Sequence, residues 1–285
     1  MKLLPAPAYF VVMLGMAATG LAGCADFPVH LDPLNVQRGA GGGKEPSYDA
    51  LMHIADVARA SGDLPNAVSV YRHAAAVAPR RAEPFAKLGD TLLEMGSVNE
   101  AIRTYNSALE RDGHNPDALR GLAKAYLKTG RPELADKPLS TAYQDAPNDP
   151  KVLLLIGVAN DYNGQHREAQ KRYRQALGLR PGDPALTIDL ALSLALTENY
   201  PEAIALLRPL ATGPGGTPAE RQTLALIYGL QGDRRQAEQL ARADLDAASV
   251  QHNLAFYETL RKMSPNARSR AVISASTDLA ASPST

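Results

Sequence analysis

The sequence predicts an all-α solenoid of six helix–turn–helix repeats, and three observations support this: the composition, a regular spacing of glycines and a set of invariant small residues. The chain has 285 residues, of which 45% are hydrophobic but only 5% aromatic, with no tryptophan. A β-sandwich uses more aromatic and β-branched residues, so this composition favours close-packed helices. The 30 basic and 30 acidic side chains give a formal net charge of zero, which argues against bulk nucleic acid as the main partner.

From Tyr48 onward the glycines define a period of 34 residues, and each lies where a first helix should end and the backbone turn with positive φ. The fifth block lacks this glycine, and we expect Asn199 to form its turn. The blocks, called repeats 1 to 6 below, are residues 48–81, 82–115, 116–149, 150–183, 184–217 and 218–251. The glycines are Gly62, Gly96, Gly130, Gly164 and Gly232.

Three places in each repeat define the predicted core. The seventh residue is a large aliphatic one, from Ile54 to Leu224, and the eighth is always Ala or Gly, which lets the two helices approach closely. The period and pattern resemble the tetratricopeptide repeat, a helix–turn–helix unit of about 34 residues. The resemblance implies a right-handed α-solenoid of stacked helix pairs. The twentieth residue is alanine every time: Ala67, Ala101, Ala135, Ala169, Ala203 and Ala237.

Two segments follow the repeats. Residues 252–263 are predicted to form a capping helix, because a solenoid needs a terminal element to cover its last apolar face. Residues 264–285 are rich in Ser, Ala and Pro, and we expect them to be disordered. Within the repeats, Pro138 and Pro209 fall in predicted second helices, where each is expected to kink the helix or remove a backbone hydrogen bond.

The N-terminal segment ends at the only cysteine of the chain. Its apolar stretch is shorter than the roughly 20 residues of a membrane-spanning helix and suits the core of a signal peptide, residues 1–23. The sequence Leu21-Ala22-Gly23-Cys24 resembles the lipobox of bacterial lipoproteins, which implies lipid attachment at Cys24. Because Ala25 rather than Asp follows, the resemblance implies the outer membrane. The alternative is a small apolar cysteine in an ordinary signal or anchor.

Residues 24–47 contain several prolines and a run of glycines with little apolar periodicity, which predicts a flexible tether after Cys24. No pattern in the chain favours an enzyme. The six histidines are scattered, and neither a His-Glu-x-x-His nor a Gly-x-Ser-x-Gly motif is present. We therefore expect no catalytic residues, no metal site, no cofactor and no small-molecule substrate.

The inner face of the solenoid is the candidate binding surface. In this repeat type, five places of each first helix line the inside of the superhelix. They are largely charged in repeats 1 to 3 and largely apolar in repeats 4 to 6, which predicts a protein-binding groove for an amphipathic helix or an extended peptide. The alternative is that the end helix or the tail fills the groove. The groove residues are Leu154, Val158, Tyr162, Ile188, Leu192, Leu196, Leu226 and Leu230.

A closer resemblance covers repeats 4 to 6 and the end helix. The segments 224–233 and 253–257, together with the lipobox and the repeats, resemble the TadD family, which are lipoproteins of the Tad (Flp pilus) secretion system. The resemblance implies an outer-membrane scaffold that faces the periplasm and helps to assemble the pilus machine, with a pilotin-like role towards its secretin. The alternative is a periplasmic adaptor for peptidoglycan hydrolases or other envelope complexes.

Overall fold

The computed structural model describes residues 46–279, which form fourteen α-helices and contain no strand, so the all-α prediction is confirmed. The signal peptide, Cys24 and nearly all of the tether lie outside the described residues. The helices are Tyr48–Ala60 (α1), Leu64–Val77 (α2), Glu83–Glu94 (α3), Val98–Arg111 (α4), Pro116–Lys128 (α5), Pro132–Asp145 (α6), Pro150–Tyr162 (α7), His166–Leu179 (α8), Pro184–Leu196 (α9), Tyr200–Thr212 (α10), Pro218–Gln231 (α11), Arg234–Ala241 (α12), Ala247–Lys262 (α13) and Pro265–Leu279 (α14).

Local sequence explains where many of these helices begin. The side chain of Asn115 accepts a hydrogen bond from the backbone N–H of Ala118 at 3.0 Å, and Pro116 follows at the first helical position, where its missing N–H costs no bond. Thr217 and Glu220 form a reciprocal capping box at the start of α11. Polar N-caps and first-turn prolines therefore mark where the helices begin, separately from the apolar core positions.

The turns inside the repeats have the predicted left-handed backbone. Gly96 has φ 77°, Gly164 has φ 73°, and the other predicted turn glycines are also positive. The expectation for repeat 5 is wrong, because Glu198 has φ 62° whereas Asn199 has φ −81° and precedes the first residue of α10. Glu198 occupies the place that glycine holds in the other repeats, so the repeat register selects the conformation even where the residue is unfavourable.

The described chain divides into two compact units at Pro79 and Arg80. The first unit contains α1 and α2, which pack as one helix pair. In the second unit, α3 to α12 form five helix pairs, repeats 2 to 6, and the second helix of each of the first four pairs also contacts the first helix of the next pair. α13 packs against α11 and α12, whereas α14 packs against α7, α9 and α13.

The predicted core positions are buried with two exceptions, Ile54 and the half-buried Ile156. All six alanines at the twentieth place are 0% exposed. A Cβ atom added to Gly89 would lie 2.6 Å from Cε1 of Tyr105, and one added to Gly157 would lie 2.3 Å from Cε1 of Tyr173, so close helix approach at the eighth place is confirmed. Ile54 is the more exposed of the two, with 46% of its surface exposed.

The end of the chain differs from the expectation in two ways. The helix α13 begins at Ala247 rather than at residue 252, because the Asp246 side chain accepts the backbone N–H of Ser249 at 2.7 Å and starts the helix there. Residues 265–279, expected to be disordered, form α14. Val272 is 0% exposed and Ile273 is 7% exposed, and both lie in the main apolar cluster of the second unit. These two residues supply the apolar surface that the Ser- and Ala-rich composition did not indicate.

Candidate protein-binding surface

The eight predicted groove residues lie on α7, α9 and α11, and none of them is fully exposed. Leu154, Val158 and Ile188 are half-buried. The groove is therefore not the open apolar face that the sequence indicated, because neighbouring repeats and α14 cover much of it. The other five residues are buried: Tyr162 at 8% exposure, Leu192 at 6%, Leu196 at 7%, Leu226 at 8% and Leu230 at 3%.

The helix α14 covers the inner part of repeats 4 and 5 by packing against α7 and α9. Val272 and Ile273 join the apolar cluster that contains Tyr162, Leu192 and Leu196. Full burial of one such aliphatic side chain stabilises packing by about 1.5–3 kcal/mol. Ordering the helix backbone offsets part of that gain. The burial of Val272 and Ile273 is therefore what holds α14 against this face.

A buried hydrogen-bonded network connects α14 to repeat 4. His166 Nδ1 lies 2.7 Å from Asp161 Oδ1, and His166 Nε2 lies 2.9 Å from Ser269 Oγ. Ser193 Oγ donates to Asp161 Oδ1 at 2.8 Å, and the Tyr173 hydroxyl donates to Oδ2 of the same carboxylate at 3.0 Å. The network thus joins α7, α8, α9 and α14 through one carboxylate that is only 4% exposed.

The electrostatics of this network follow from burial. Burial raises the pKa of Asp161, and the hydrogen bonds from His166 and Ser193 offset part of that rise because they stabilise the carboxylate. Burial, followed by the nearby charge of Asp161, raises the pKa of the Tyr173 hydroxyl well above its ordinary value. Tyr173 therefore remains a neutral donor across the physiological range, as the hydrogen bond to Asp161 requires.

The order Ser269, His166 and Asp161 has the connectivity of a hydrolytic triad. Ser269 is only 2% exposed, and its Oγ also donates to the carbonyl oxygen of Pro265, one turn earlier in α14, at 3.0 Å. A substrate carbonyl therefore cannot reach the hydroxyl while α14 is docked. The arrangement fixes the position of α14 and does not form an accessible nucleophile.

Asp189 is an unpaired carboxylate on the same face of α9 as Leu192. It is half-buried and has no hydrogen-bond or ion-pair partner in the part of the chain that the structure describes. Burial, with contributions from the charges of Asp161 and Asp183, raises its pKa to about 7. A half-buried carboxylate without a partner is costly, and on a candidate binding face it is a position where a ligand can supply a donor.

Asp56 and Asp90 hold the ninth place of repeats 1 and 2, one of the predicted inner places, and each accepts a hydrogen bond from a tyrosine of its own repeat. The Tyr71 hydroxyl donates to Asp56, and the Tyr105 hydroxyl donates to Asp90 Oδ1 at 2.7 Å. The spacing of 15 residues between the ninth and twenty-fourth places was present in the sequence as a signal for these pairs. The Ser269 contact had no such signal, because His166 precedes it by 103 residues.

Within residues 46–279, no group of three or more His, Cys, Asp or Glu side chains could hold a metal ion. In the same range, no helix combines the length and the apolar character needed to cross a membrane.

Comparisons with known proteins identify the repeats. Residues 92–158 and 154–216 match two tetratricopeptide-repeat family models. A cellulose synthase operon protein C from Xanthomonas axonopodis pv. citri (strain 306) is 28% identical over 194 residues, which are 65% of this chain and 13% of the relative. The chain thus spans a small part of that relative's length.

Solved structures show the same fold at low identity. The APC/C hetero-tetramer Cut9-Hcn1 aligns with a TM-score of 0.66 and 16% identity, covering 74% of this chain and 43% of the matched chain. PilW, a widely conserved type IV pilus biogenesis factor, aligns with a TM-score of 0.62 and 14% identity, covering 68% of this chain and 90% of the matched chain. With the family models, these matches confirm the tetratricopeptide-repeat solenoid.

Proposed function

We propose that this chain, a tetratricopeptide-repeat protein, is an outer-membrane lipoprotein scaffold that binds a subunit of the Tad (Flp) pilus machine, with a pilotin-like role towards the secretin. The observation that carries the binding proposal is the apolar inner face of α7, α9 and α11. Its three half-buried residues, Leu154, Val158 and Ile188, give a partner aliphatic surface to cover. Asp189 on the same side of α9 adds a polar group that lacks a partner within residues 46–279.

The pilus assignment depends on the resemblance of repeats 4 to 6 and the end helix to the TadD family. PilW is described as a type IV pilus biogenesis factor, and it shares the fold. At 14% identity this likeness does not extend to the partner. The assignment to a secretin is therefore the part of the proposal that a binding experiment must test.

The anchor is a separate part of the proposal. Acylation of Cys24 would hold the chain on a membrane through several fatty acyl chains, each methylene contributing about 0.8 kcal/mol when buried. The Cys24→Ser variant should appear in the soluble fraction after cell lysis, while the wild-type chain pellets with membranes. Continued membrane pelleting of the variant through a high-salt wash would refute lipid attachment at Cys24.

Crosslinking in cells followed by mass spectrometry tests the partner. The wild-type full chain should crosslink to the Tad secretin, and Leu154→Glu should reduce the yield at least tenfold, because a charge on the apolar face must lose its water when the partner binds. Leu134→Glu is the matched control, since Leu134 lies on the second helix α6 and is 43% exposed. Equal capture by the two variants would remove the inner face as the site.

The same experiment separates the alternative function. If peptidoglycan hydrolases rather than pilus proteins crosslink to the wild-type chain, the chain is a periplasmic adaptor, which is the alternative function that the sequence left open. In that case the Leu154→Glu variant should lose the hydrolases, and Leu134→Glu should retain them. The binding surface and the identity of the partner are therefore tested by different comparisons within one data set.

A further inference from the structure

Capping does not explain the position of α14. The end of the stack is covered by α13, which packs against α11 and α12. α14 instead turns back after two residues, Met263 and Ser264, and lies over α7 and α9 of repeats 4 and 5. Its contacts reach far along the chain, since Arg268 lies 70 residues after its ion-pair partner Glu198. A helix is therefore already seated on the proposed binding face.

One side of α14 makes these contacts. Ser269 meets His166, and Val272 and Ile273 enter the apolar cluster, at spacings of three and four residues that place the three side chains on one face of a helix. Arg268 donates to Glu198 and to the carbonyl oxygen of Leu260. The opposite side is solvent-exposed at Ala267 and Arg270. α14 is therefore amphipathic, with one side packed against the repeats and the other side in solvent.

Part of the surface of α7 and α9 gains no partner from α14. Ser269 gives His166 a hydrogen-bond partner, but Asp189 on α9 gains none from the described residues of α14. Leu154 and Ile188 also remain half-buried. A ligand that reproduced the contacts of α14 and added a donor near Asp189 would have more to gain on this surface than α14 has.

We propose that the inner face of α7 and α9 is a helix-binding site, that α14 occupies it within the chain, and that the partner displaces α14. The partner presents a helix with a hydroxyl residue over His166, followed three and four residues later by branched aliphatic side chains. This inference rests on the proposed function, because it names the kind of partner segment that the same face binds. α14 then regulates access by competing with that segment.

The test uses the full chain and a fluorescent peptide that copies residues 264–279. In the wild-type protein the tethered helix has a high effective concentration and should exclude the peptide. Val272→Glu places a charge at a fully buried position and should free the site, so this variant should bind the peptide at least tenfold more tightly than the wild-type protein does. Ala267→Glu adds the same charge at an exposed position of α14 and should behave like the wild-type protein.

Trypsin cleavage reports the state of α14 directly. The side chain of Arg268 is 11% exposed, so cleavage after it should be slow in the wild-type protein and in Ala267→Glu, and at least tenfold faster in Val272→Glu. Unchanged protection in Val272→Glu would overturn the proposal, as would equal peptide binding by all three proteins. Loss of the helical circular dichroism signal in Val272→Glu would also overturn it, because α14 would then be an integral part of the stack.

Two outcomes separate this inference from the proposed function. If the peptide binds Val272→Glu as expected but no pilus protein crosslinks to the chain in cells, the helix-binding site stands and the pilus role fails. If a pilus protein is captured equally by the wild-type protein and Val272→Glu, the function stands and competition by α14 fails. A wild-type dimer that the peptide dissociates would assign the face to a second copy of the chain and overturn the proposed partner.

Discussion

Repeats 2 and 4 pack their helices in the same way. In each, a tyrosine from the second helix covers a glycine of the first helix and donates its hydroxyl to a carboxylate: Tyr105 to Asp90, and Tyr173 to Asp161. The carboxylate is at the ninth place in repeat 2 and at the twelfth place in repeat 4. One helical turn thus separates two versions of the same contact.

That one-turn shift changes what the carboxylate can reach. Asp90 is half-buried, whereas Asp161 is 4% exposed and also accepts hydrogen bonds from His166 and from Ser193 in the next repeat. His166 in turn contacts Ser269 of α14. In repeat 4 the carboxylate therefore joins four helices, α7, α8, α9 and α14, at the candidate binding face.

The largest effect is expected from removing the two carboxylates. Asp161→Ala should lower the free energy of unfolding by about 3 kcal/mol, because it leaves the buried groups of Tyr173, Ser193 and His166 without their acceptor. Asp90→Ala should cost about 1 kcal/mol, since water can replace the half-buried carboxylate. Urea unfolding followed by circular dichroism measures both. Equal losses would show that the extra contacts of Asp161 contribute nothing.

The glycines beneath the tyrosines should show a smaller difference in the same direction. Gly157→Ala should destabilise the fold by about 2 kcal/mol, and Gly89→Ala by about 1 kcal/mol, because the added Cβ would lie closer to the ring in repeat 4. Gly178→Ala in α8 is the control, since nothing lies within 4 Å of its added Cβ and alanine favours a helix. Thermal and urea unfolding of the three variants would test this order, and a loss in Gly178→Ala would refute the steric explanation.

The raised pKa of Asp189 should make the stability of the chain depend on pH. The pKa of Asp189 is raised to about 7 in the folded chain, so the unfolded chain, with an ordinary pKa near 3.8, releases this proton more readily. The folded state therefore loses stability as the pH rises from about 4 to about 7. Asp189→Asn should stabilise the chain by on the order of 1 kcal/mol at pH 8 and not at all at pH 4. A pH-independent gain would assign the effect to something other than ionisation.

The sequence predicted the parts of the fold that are local or periodic. Small residues at fixed places, with Ala169 or Gly157 as examples, determine how two neighbouring helices approach, and a 34-residue period makes that visible. It also placed Leu192 and Leu196 on the inner face. It did not predict α14, because a segment rich in Ser and Ala indicates helix only once Val272 and Ile273 have a surface to pack against.

The polar network around Asp161 could not be predicted from the sequence for a related reason. Asp161, His166 and Ser193 each have an ordinary alternative role on a solvated helix, and only the stacking of repeat 5 on repeat 4 brings them together. The link to Ser269 spans 103 residues and depends on a turn after Lys262 that no repeat pattern specifies. Periodicity therefore predicts the scaffold, whereas the connections between distant elements require the packed structure.

The smallest effect concerns the turn between the two helices of a repeat, where repeats 2 and 4 agree and repeat 5 differs. Gly96 and Gly164 have positive φ without strain, whereas Glu198 holds φ 62° with a full side chain. Glu198→Gly should stabilise the chain by a few tenths of a kcal/mol up to about 1 kcal/mol, because the left-handed conformation penalises a side chain. Glu198→Ala removes the ion pair with Arg268 and keeps the strain, so it should give no gain. Both variants lack the ion pair with Arg268, which is largely exposed at Glu198 and contributes little to stability. The difference in stability between the two variants therefore measures the backbone alone. Urea unfolding resolves such a difference, and equal stability of the two variants would show that the stack holds Glu198 in this conformation at no cost.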